Sequence, residues 1–271
     1  NNERLRAVVD NCEEDQWELW DMLNLLASEG YNPRRLWRAI PGDAEHICQI
    51  IQPESWRLYS ISSVMSHDPD ELHLTVGGLQ YQTHDTDISR ADARQGTGST
   101  FLGHLATGGA PLTETVTIKV VHPPRFNLPQ DTSRSIVMIA AGTGIAPMRS
   151  LISERVASGA TGTNWLFFGT QERDDFHYRD ELASLVGKGK LEVRVAFSRD
   201  AAAASFNPQT QEFDIVPGQA RYLGAELLEP DNARLLWDMI RGPEGGGQGA
   251  SLYICGRTAF ANSMLNTIKA V

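Results

Sequence analysis

From residue 135 to the end of the chain, short apolar runs alternate with amphipathic stretches. "SIVMIAA" (135–141) is an apolar run behind one polar residue, which predicts a strand buried on both faces. "PMRSLISERVAS" (147–158) carries the period of an amphipathic helix. The same pairing recurs three times: "NWLFFG" with "HYRDELASLV", "LEVRVAFS" with "DNARLLWDMI", and "SLYICG" with "AFANSMLNTIKA". Strands separated by helices predict βαβ units and a parallel sheet. Two segments break the rhythm: an irregular insert over residues 200–220 and the glycine-rich "GPEGGGQGA". The second precedes a strand instead of following one, so it reads as a flexible loop and not as a phosphate cradle.

Upstream the texture differs. Residues 1–52 read as helical. "EEDQWELWDMLNLLAS" spaces Trp17, Trp20 and Leu23 three apart with Leu19, Met22 and Leu26 beside them, a broad apolar stripe. Asn32-Pro33 has the form of an N-cap followed by proline at the first helical position. Four of the six tryptophans precede residue 57, which fits a helical layer packed on something better than an aromatic docking face. From residue 56 to 125, "ELHLTVGGLQYQ" and "TETVTIKVV" are β-rich, with Gly, Asp and Pro between them. Roughly three or four strands are too few to close a barrel. The expected divisions are therefore a helical region over 1–52, a β-rich portion over 53–130 and an α/β domain over 131–271.

Composition narrows the function classes. The chain has 271 residues, 41% hydrophobic and 21% charged, as in a globular protein. No apolar run approaches the roughly 20 residues that span a bilayer. The net charge of −10 argues against non-specific nucleic-acid binding while leaving room for a local basic patch. Three widely spaced cysteines, Cys12, Cys48 and Cys255, make no disulfide framework and suggest a reducing, cytoplasmic compartment. The seven histidines lack metal-ligand spacing, so no metal site is expected.

Five stretches carry candidate chemistry. "AAGTGIAP" (140–147) follows a buried strand and opens a helix, where glycines allow close backbone approach and helix N–H groups suit a pyrophosphate. A plain tight turn is the alternative, and Pro147 stands where the dinucleotide fingerprint has Gly. "VAFSRD" puts Ser198 and Arg199 at a strand end, where a hydroxyl and a guanidinium can grip a 2′-phosphate or form a solvated turn. "YICG" puts Cys255 at another strand end, either as a small core residue or beside a ligand. "RQGTGSTFLGHL" offers Gly96, Gly98, Ser99 and Thr100 as a second phosphate cradle, an ordinary helix cap, or both. "WRLYSISS" (56–63) adds a cation, a ring and hydroxyls on one strand, the set a flat anionic cofactor requires.

Taken together, Arg57-Leu58-Tyr59-Ser60, Gly96 to Thr100, Gly142 to Pro147, Phe168-Gly169-Thr170, Tyr178 to Leu182, Ser198-Arg199 and Cys255-Gly256 resemble the reductase half of the diflavin reductases. These include NADPH–cytochrome reductase and the sulfite reductase flavoprotein, within the ferredoxin–NADP reductase superfamily. The resemblance covers nearly the whole chain. It implies an antiparallel FAD-binding barrel, incomplete here, whose helical connecting region ends at residue 52, then a doubly wound parallel-sheet NADP(H)-binding domain. It implies FAD and NADPH as cofactors. Arg57 would pair with the FAD pyrophosphate, Tyr59 stack on the flavin, and Ser60 hydrogen-bond near its N5. Thr75 and Gly77 would approach the ring edge with their backbone, and Gly98, Ser99 and Thr100 would hold the FAD phosphates. Gly142 and Thr143 would meet the NADPH pyrophosphate, Ser198, Arg199 and Tyr222 the 2′-phosphate, and Cys255 the nicotinamide. Ser60 and Cys255 would serve the hydride step.

The implied acceptor is an FMN domain, a haem protein or an iron–sulfur centre. The sequence departs from the family in three places. Arg257 stands where an acidic residue follows the Cys-Gly pair, the chain stops at Val271 before the family's C-terminal aromatic, and no FMN domain is present. An NADH-dependent single-flavin reductase of the cytochrome b5 reductase kind is opposed by Ser198-Arg199 and by the helical region. A docking module without FAD is opposed by the Arg57, Tyr59 and Ser60 set.

Overall fold

Strand β3 (Ile136–Ala141) is the centre of the sheet, and its residues 136–140 are fully buried. Its side chains alternate between two cores, as period-two geometry requires. Ile136, Met138 and Ala140 join one cluster, and Val137 and Ile139 the other. β3 pairs in parallel with β4 (Asn164–Thr170) on one side and with β8 (Ser251–Cys255) on the other. β4 pairs in parallel with β5 (Glu192–Phe197), so the strand order is β5-β4-β3-β8. The computed structural model describes residues 3, 6, 10, 19–32, 35, 55–82, 93–107 and 115–271.

One core takes its other half from α3 (Ile145–Ala157), through Ile145, Met148 and Ile152, and from α4 (Arg179–Gly187), through Leu182 and Ala183. The second core takes Leu223 and Leu227 of α5 (Leu223–Leu227), Leu236 and Met239 of α6 (Pro230–Ile240), and Met264 of α7 (Thr258–Lys269). Burying a Leu- or Met-sized side chain on either face contributes about 1.5–3 kcal/mol, so both helix layers are held by their apolar stripes. Arg155 is the exception, 2% exposed within α3. Its guanidinium donates to Asn164 Oδ1 at 2.5 Å and to the carbonyls of Arg134 and Gly162 at 3.0 and 2.9 Å.

The insert over 200–220, read from sequence as irregular, is an antiparallel pair of β6 (Ala202–Asn207) and β7 (Glu212–Pro217). Alternation was masked by its run of alanines. Phe206 and Phe213 pack edge to face at 5.7 Å, and Phe213 reaches Phe176 at 5.2 Å. The Gly218 amide donates to the Ala201 carbonyl at 3.0 Å and closes the base of the pair. The glycine-rich segment holds a 3-10 turn, Pro243–Gly245, before β8.

The chain divides into two compact units, Asn1–Leu58 with Gly78–Glu114, and Tyr59–Gly77 with Thr115–Val271. The division differs from the boundaries read off the sequence, because residues 59–77 and 115–130 group with the parallel sheet. In the first unit, α1 (Leu19–Ser28) buries Leu25, β1 (Gln80–Gln82) pairs antiparallel with β2 (Ala93–Gln95), and α2 spans Thr97–Thr107. Most of the helical region expected over 1–52, Trp17 and Pro33 included, lies outside the described residues.

Two expected strands are not formed as read. "ELHLTVGGLQYQ" yields a single bridge, Ile61 with Leu74, and the three residues of β1. Residues 115–121 of "TETVTIKVV" have no strand pairing among the described residues and expose Val116, Ile118, Val120 and Val121. Alternation makes a segment competent for a sheet, but a strand exists only where a neighbour takes its N–H and C=O groups.

Candidate functional site

The carboxyl ends of the parallel strands bring several sequence-predicted residues to one edge of the second unit. β3 runs into a 3-10 turn, Gly142–Gly144, and then directly into α3. No side chain caps either N-terminus, and within the turn the Ile145 amide donates to the carbonyls of Gly142 and Thr143. Gly142 takes φ +52 with open space around its missing side chain. Gly144 is buried, and a Cβ there would run into the carbonyl of Cys255. The turn therefore packs directly on the end of β8. Thr143 is exposed, and its Cγ2 lies 3.1 Å from the place a Cβ on Gly77 would occupy.

Cys255 is half-buried, and burial pushes its thiol above the ordinary cysteine range. A protonated thiol here is a packing group and a weak donor, not a nucleophile. Arg257 is exposed at the N-cap of α7.

Ser198 and Arg199 leave β5 beside the end of β4. Their amides donate to the carbonyls of Thr170 and Gln171, both at 2.9 Å, and the Ser198 hydroxyl donates to Thr170 at 3.3 Å. Asp200 accepts two bonds from the Arg173 guanidinium, at 2.5 and 2.7 Å, and one from the Arg173 amide at 3.3 Å. Hydrogen bonding to Arg173 holds the Asp200 carboxyl below its usual range. The Arg221 amide donates to the Phe197 carbonyl at 2.8 Å, which brings the segment that carries Tyr222 to the carboxyl end of β5. Arg199 is exposed and Tyr222 is 77% exposed. Arg221 itself is engaged with Glu226 at 3.1 Å and Glu229 at 2.7 Å.

Tyr59 is half-buried and Ser60 exposed, ahead of the buried pair Ser62 and Ser63. The Ser62 amide donates to the His73 carbonyl at 2.9 Å, and the His73 amide to Ser63 Oγ at 3.0 Å. Thr75, expected at a flavin edge through its backbone, has its hydroxyl 2.5 Å from that of Tyr178. Arg149 then joins three elements. It donates to both carboxylate oxygens of Glu181 and to the Ser62 carbonyl, and it lies 5.0 Å from the Tyr178 ring centre. Sequence reading missed Arg149. The available signal was a cation within the otherwise apolar opening of α3. Asp68, Glu71 and His73 also place one ligand atom each within 4.8 Å of the others, on a partly exposed turn.

In the first unit, Arg57 is exposed and donates to the Ser55 carbonyl at 3.3 Å. Ser99 lies in the first turn of α2. Its hydroxyl donates to the Gly96 carbonyl at 3.1 Å and accepts from the Leu79 amide at 3.2 Å. That occupies Ser99 as a local brace, so any phosphate would be met by backbone amides of 97–99. Thr100 Oγ1 donates to Gln95 at 3.4 Å, and Gly98 is half-buried in the same turn.

Comparison with known proteins identifies the relatives of this chain. The family model described as oxidoreductase NAD-binding domain matches residues 138–213. The sulfite reductase [NADPH] flavoprotein alpha-component of Bacillus subtilis is 34% identical across 100% of this chain, which spans 37% of that protein. The protein of the same name from Vibrio cholerae is 37% identical over 74% of this chain and 27% of its own length. That from Klebsiella pneumoniae is 33% identical over 84% of this chain and 33% of its own length. The chain thus spans well under half the length of these relatives.

Proposed function

The chain belongs to the diflavin reductase family, as the FAD/NADPH half, and from that premise we propose that it takes hydride from NADPH onto FAD and passes electrons to a redox partner. The observation that carries the proposal is the placement of Gly142–Gly144, Ser198-Arg199 and Cys255 at the carboxyl ends of β3, β5 and β8 in one parallel sheet. Ligands of open parallel sheets bind at such an edge. We assign the second unit's core as a doubly wound NADP-binding domain over 131–271, residues 53–130 as part of an FAD-binding barrel, and 1–52 as the connecting region.

The residues fit the groups implied. Uncapped amides beside Gly142 and Thr143 suit a pyrophosphate. Ser198, Arg199 and Tyr222 would hold a 2′-phosphate, the Ser198 hydroxyl rotating off the Thr170 carbonyl to donate. Arg57, Gly98, Ser99 and Thr100 are assigned to the FAD phosphates. Tyr59, Ser60, Thr75 and Gly77 are assigned to the flavin ring.

Bound FAD would supply the two-electron acceptance and stepwise electron release that no side chain here offers. The chain supplies position and a polar environment. Binding the adenosine and phosphate end of NADPH at 198–222 would direct its nicotinamide end toward Cys255, so that reaction would need no bimolecular encounter. The Ser60 hydroxyl would donate to the flavin nitrogen that gains electron density. Cys255, its thiol pKa raised by burial, would pack the nicotinamide without competing as a nucleophile.

Among the described residues no helix is long and apolar enough to cross a membrane. We place the enzyme in the cytoplasm with an FMN domain, a haem protein or an iron–sulfur centre as acceptor. The relatives' name favours a sulfite-reducing partner component.

The test is an anaerobic absorption spectrum of the whole flavoprotein before and after reductant. A flavin band bleached by NADPH and hardly by NADH is expected. A protein without flavin, or one bleached equally by both nucleotides, would overturn the assignment of cofactor or of the 2′-phosphate site, respectively.

A further inference from the structure

Asp200 is a carboxylate one residue beyond Arg199, in a chain whose net charge is already −10. An anion placed against Ser198 and Arg199 would meet that charge within a few ångströms of chain, since consecutive Cα atoms are about 3.8 Å apart. Arg173 prevents this in two ways. Its planar guanidinium engages Asp200 with two side-chain bonds, and its own amide adds a third to the same carboxylate. The Asp200 side chain is 16% exposed and turned toward the segment that leaves β4. The backbone ladder Ser198–Thr170 and Arg199–Gln171 continues into this contact, so the carboxylate and its partner are fixed in register with the residues that would hold the phosphate.

We propose that Arg173 is a specificity-determining residue for the phosphorylated nucleotide, acting by neutralising and turning aside Asp200 so that Arg199 presents a net positive charge to the 2′-phosphate. The inference rests on the assignment of Ser198, Arg199 and Tyr222 to that phosphate. Arg173 need not touch the nucleotide; it is a positioning residue. Asp200 in turn makes the site conditional, because a nucleotide lacking the 2′-phosphate gains nothing from the neutralisation.

The test needs no flavin. Calorimetric titration of the full chain with adenosine 2′,5′-bisphosphate and with 5′-AMP, at low salt, is carried out for the wild type, R173A, D200N and R173A/D200N. R173A is expected to weaken the bisphosphate about five- to tenfold, the scale of a carboxylate facing a dianion across partly hydrated protein, and to leave 5′-AMP within about twofold. R173A/D200N is expected to recover bisphosphate affinity, and D200N alone to keep or tighten it. A double variant as weak as R173A, equal loss for both nucleotides in R173A, or weakening by D200N would each overturn the inference. A wild type that binds both nucleotides alike would overturn the 2′-phosphate assignment and this inference with it, a result distinct from a wild-type preference that survives R173A.

Discussion

Arg149 donates to the main-chain carbonyl of Ser62 at 2.7 Å across 87 residues of sequence, while its Nε grips the Glu181 carboxylate at 2.8 and 2.9 Å. One side chain thereby ties the segment that carries Tyr59 and Ser60 to α3 and α4. Arg149→Ala leaves Glu181 half-buried without its cation and the Ser62 carbonyl without a donor. A loss of about 2 kcal/mol is expected, the scale of a charge-assisted pair in a partly shielded place. Arg149→Lys should recover only part, because an ammonium cannot serve a bidentate carboxylate and a carbonyl in one plane. Urea midpoints at constant slope measure this. Equal midpoints for all three proteins would show that the contact contributes nothing.

Ser62 gives a prediction of opposite sign. It is fully buried, and its hydroxyl oxygen has no hydrogen-bond partner among the described residues. An unmet buried hydroxyl costs about 1–3 kcal/mol, whereas Ala at that position keeps the backbone bonds to His73 and to Arg149. Ser62→Ala should therefore be neutral or stabilising by up to about 1 kcal/mol. Destabilisation by more than that in thermal or urea unfolding would mean that the hydroxyl has a partner in solution.

The three glycines near the β3 turn should separate cleanly. Gly144→Ala drives a Cβ into the Cys255 backbone, which cannot yield without moving β8. A cost above about 3 kcal/mol and loss of nucleotide binding are expected. Gly142→Ala meets no atom but holds φ +52, so about 1 kcal/mol is expected. Gly77→Ala only presses on the Thr143 methyl at 3.1 Å and should cost less than Gly144→Ala while shifting nucleotide binding through Thr143. Unfolding and titration with NADP⁺ rank the three, and Gly144→Ala ranking mildest would refute the packing argument.

The βαβ part was legible because its signal is local and redundant. β3 has an apolar run with no alternative to burial, and the turn at Gly142 interrupts it where a helix period starts. The hairpin over 202–217 was not legible, since alanines at 201–204 flatten the alternation and its pairing is decided by Phe206 and Phe213 meeting in space. The strand competence of 115–121 was legible, but its pairing depends on a partner that local pattern does not specify. At the site, Ser198, Arg199 and Cys255 follow from strand ends. Arg149 and Arg173 act through residues 87 and 27 positions away, which no spacing rule connects.

Arg155 is held by the Asn164 amide oxygen and two backbone carbonyls, and burial lowers its pKa. Its role is to satisfy acceptors at the Arg134 and Gly162 carbonyls and at Asn164. Arg155→Ala leaves all three unmet and opens a cavity, so about 3–5 kcal/mol is expected. Arg155→Met refills the volume and should cost less, although the acceptors remain unmet. Chemical denaturation of both variants gives the comparison, and a Met variant as poor as Ala would assign the whole effect to hydrogen bonding.

Cys255 supplies the pH dependence. Burial raises its thiol above the ordinary 9.0, with a smaller opposing pull from the Gly256 amide. A folded-state pKa raised above the unfolded value means that the thiol contributes stability in full below about pH 9. That contribution falls as pH climbs toward and through the raised value, because the unfolded chain releases its proton first. With Cys12 and Cys48 replaced by serine, the stability difference between the protein and its Cys255→Ala variant should be flat from pH 6 to 8 and shrink from about pH 9 upward. Iodoacetamide should label Cys255 in the folded protein more slowly than a free thiol at pH 8.5, and at the free-thiol rate once urea unfolds the chain. A difference that grows with pH, or labelling that is fast in the folded state, would mean an ionised thiol at this strand end and would remove Cys255 from the role of a neutral packing group.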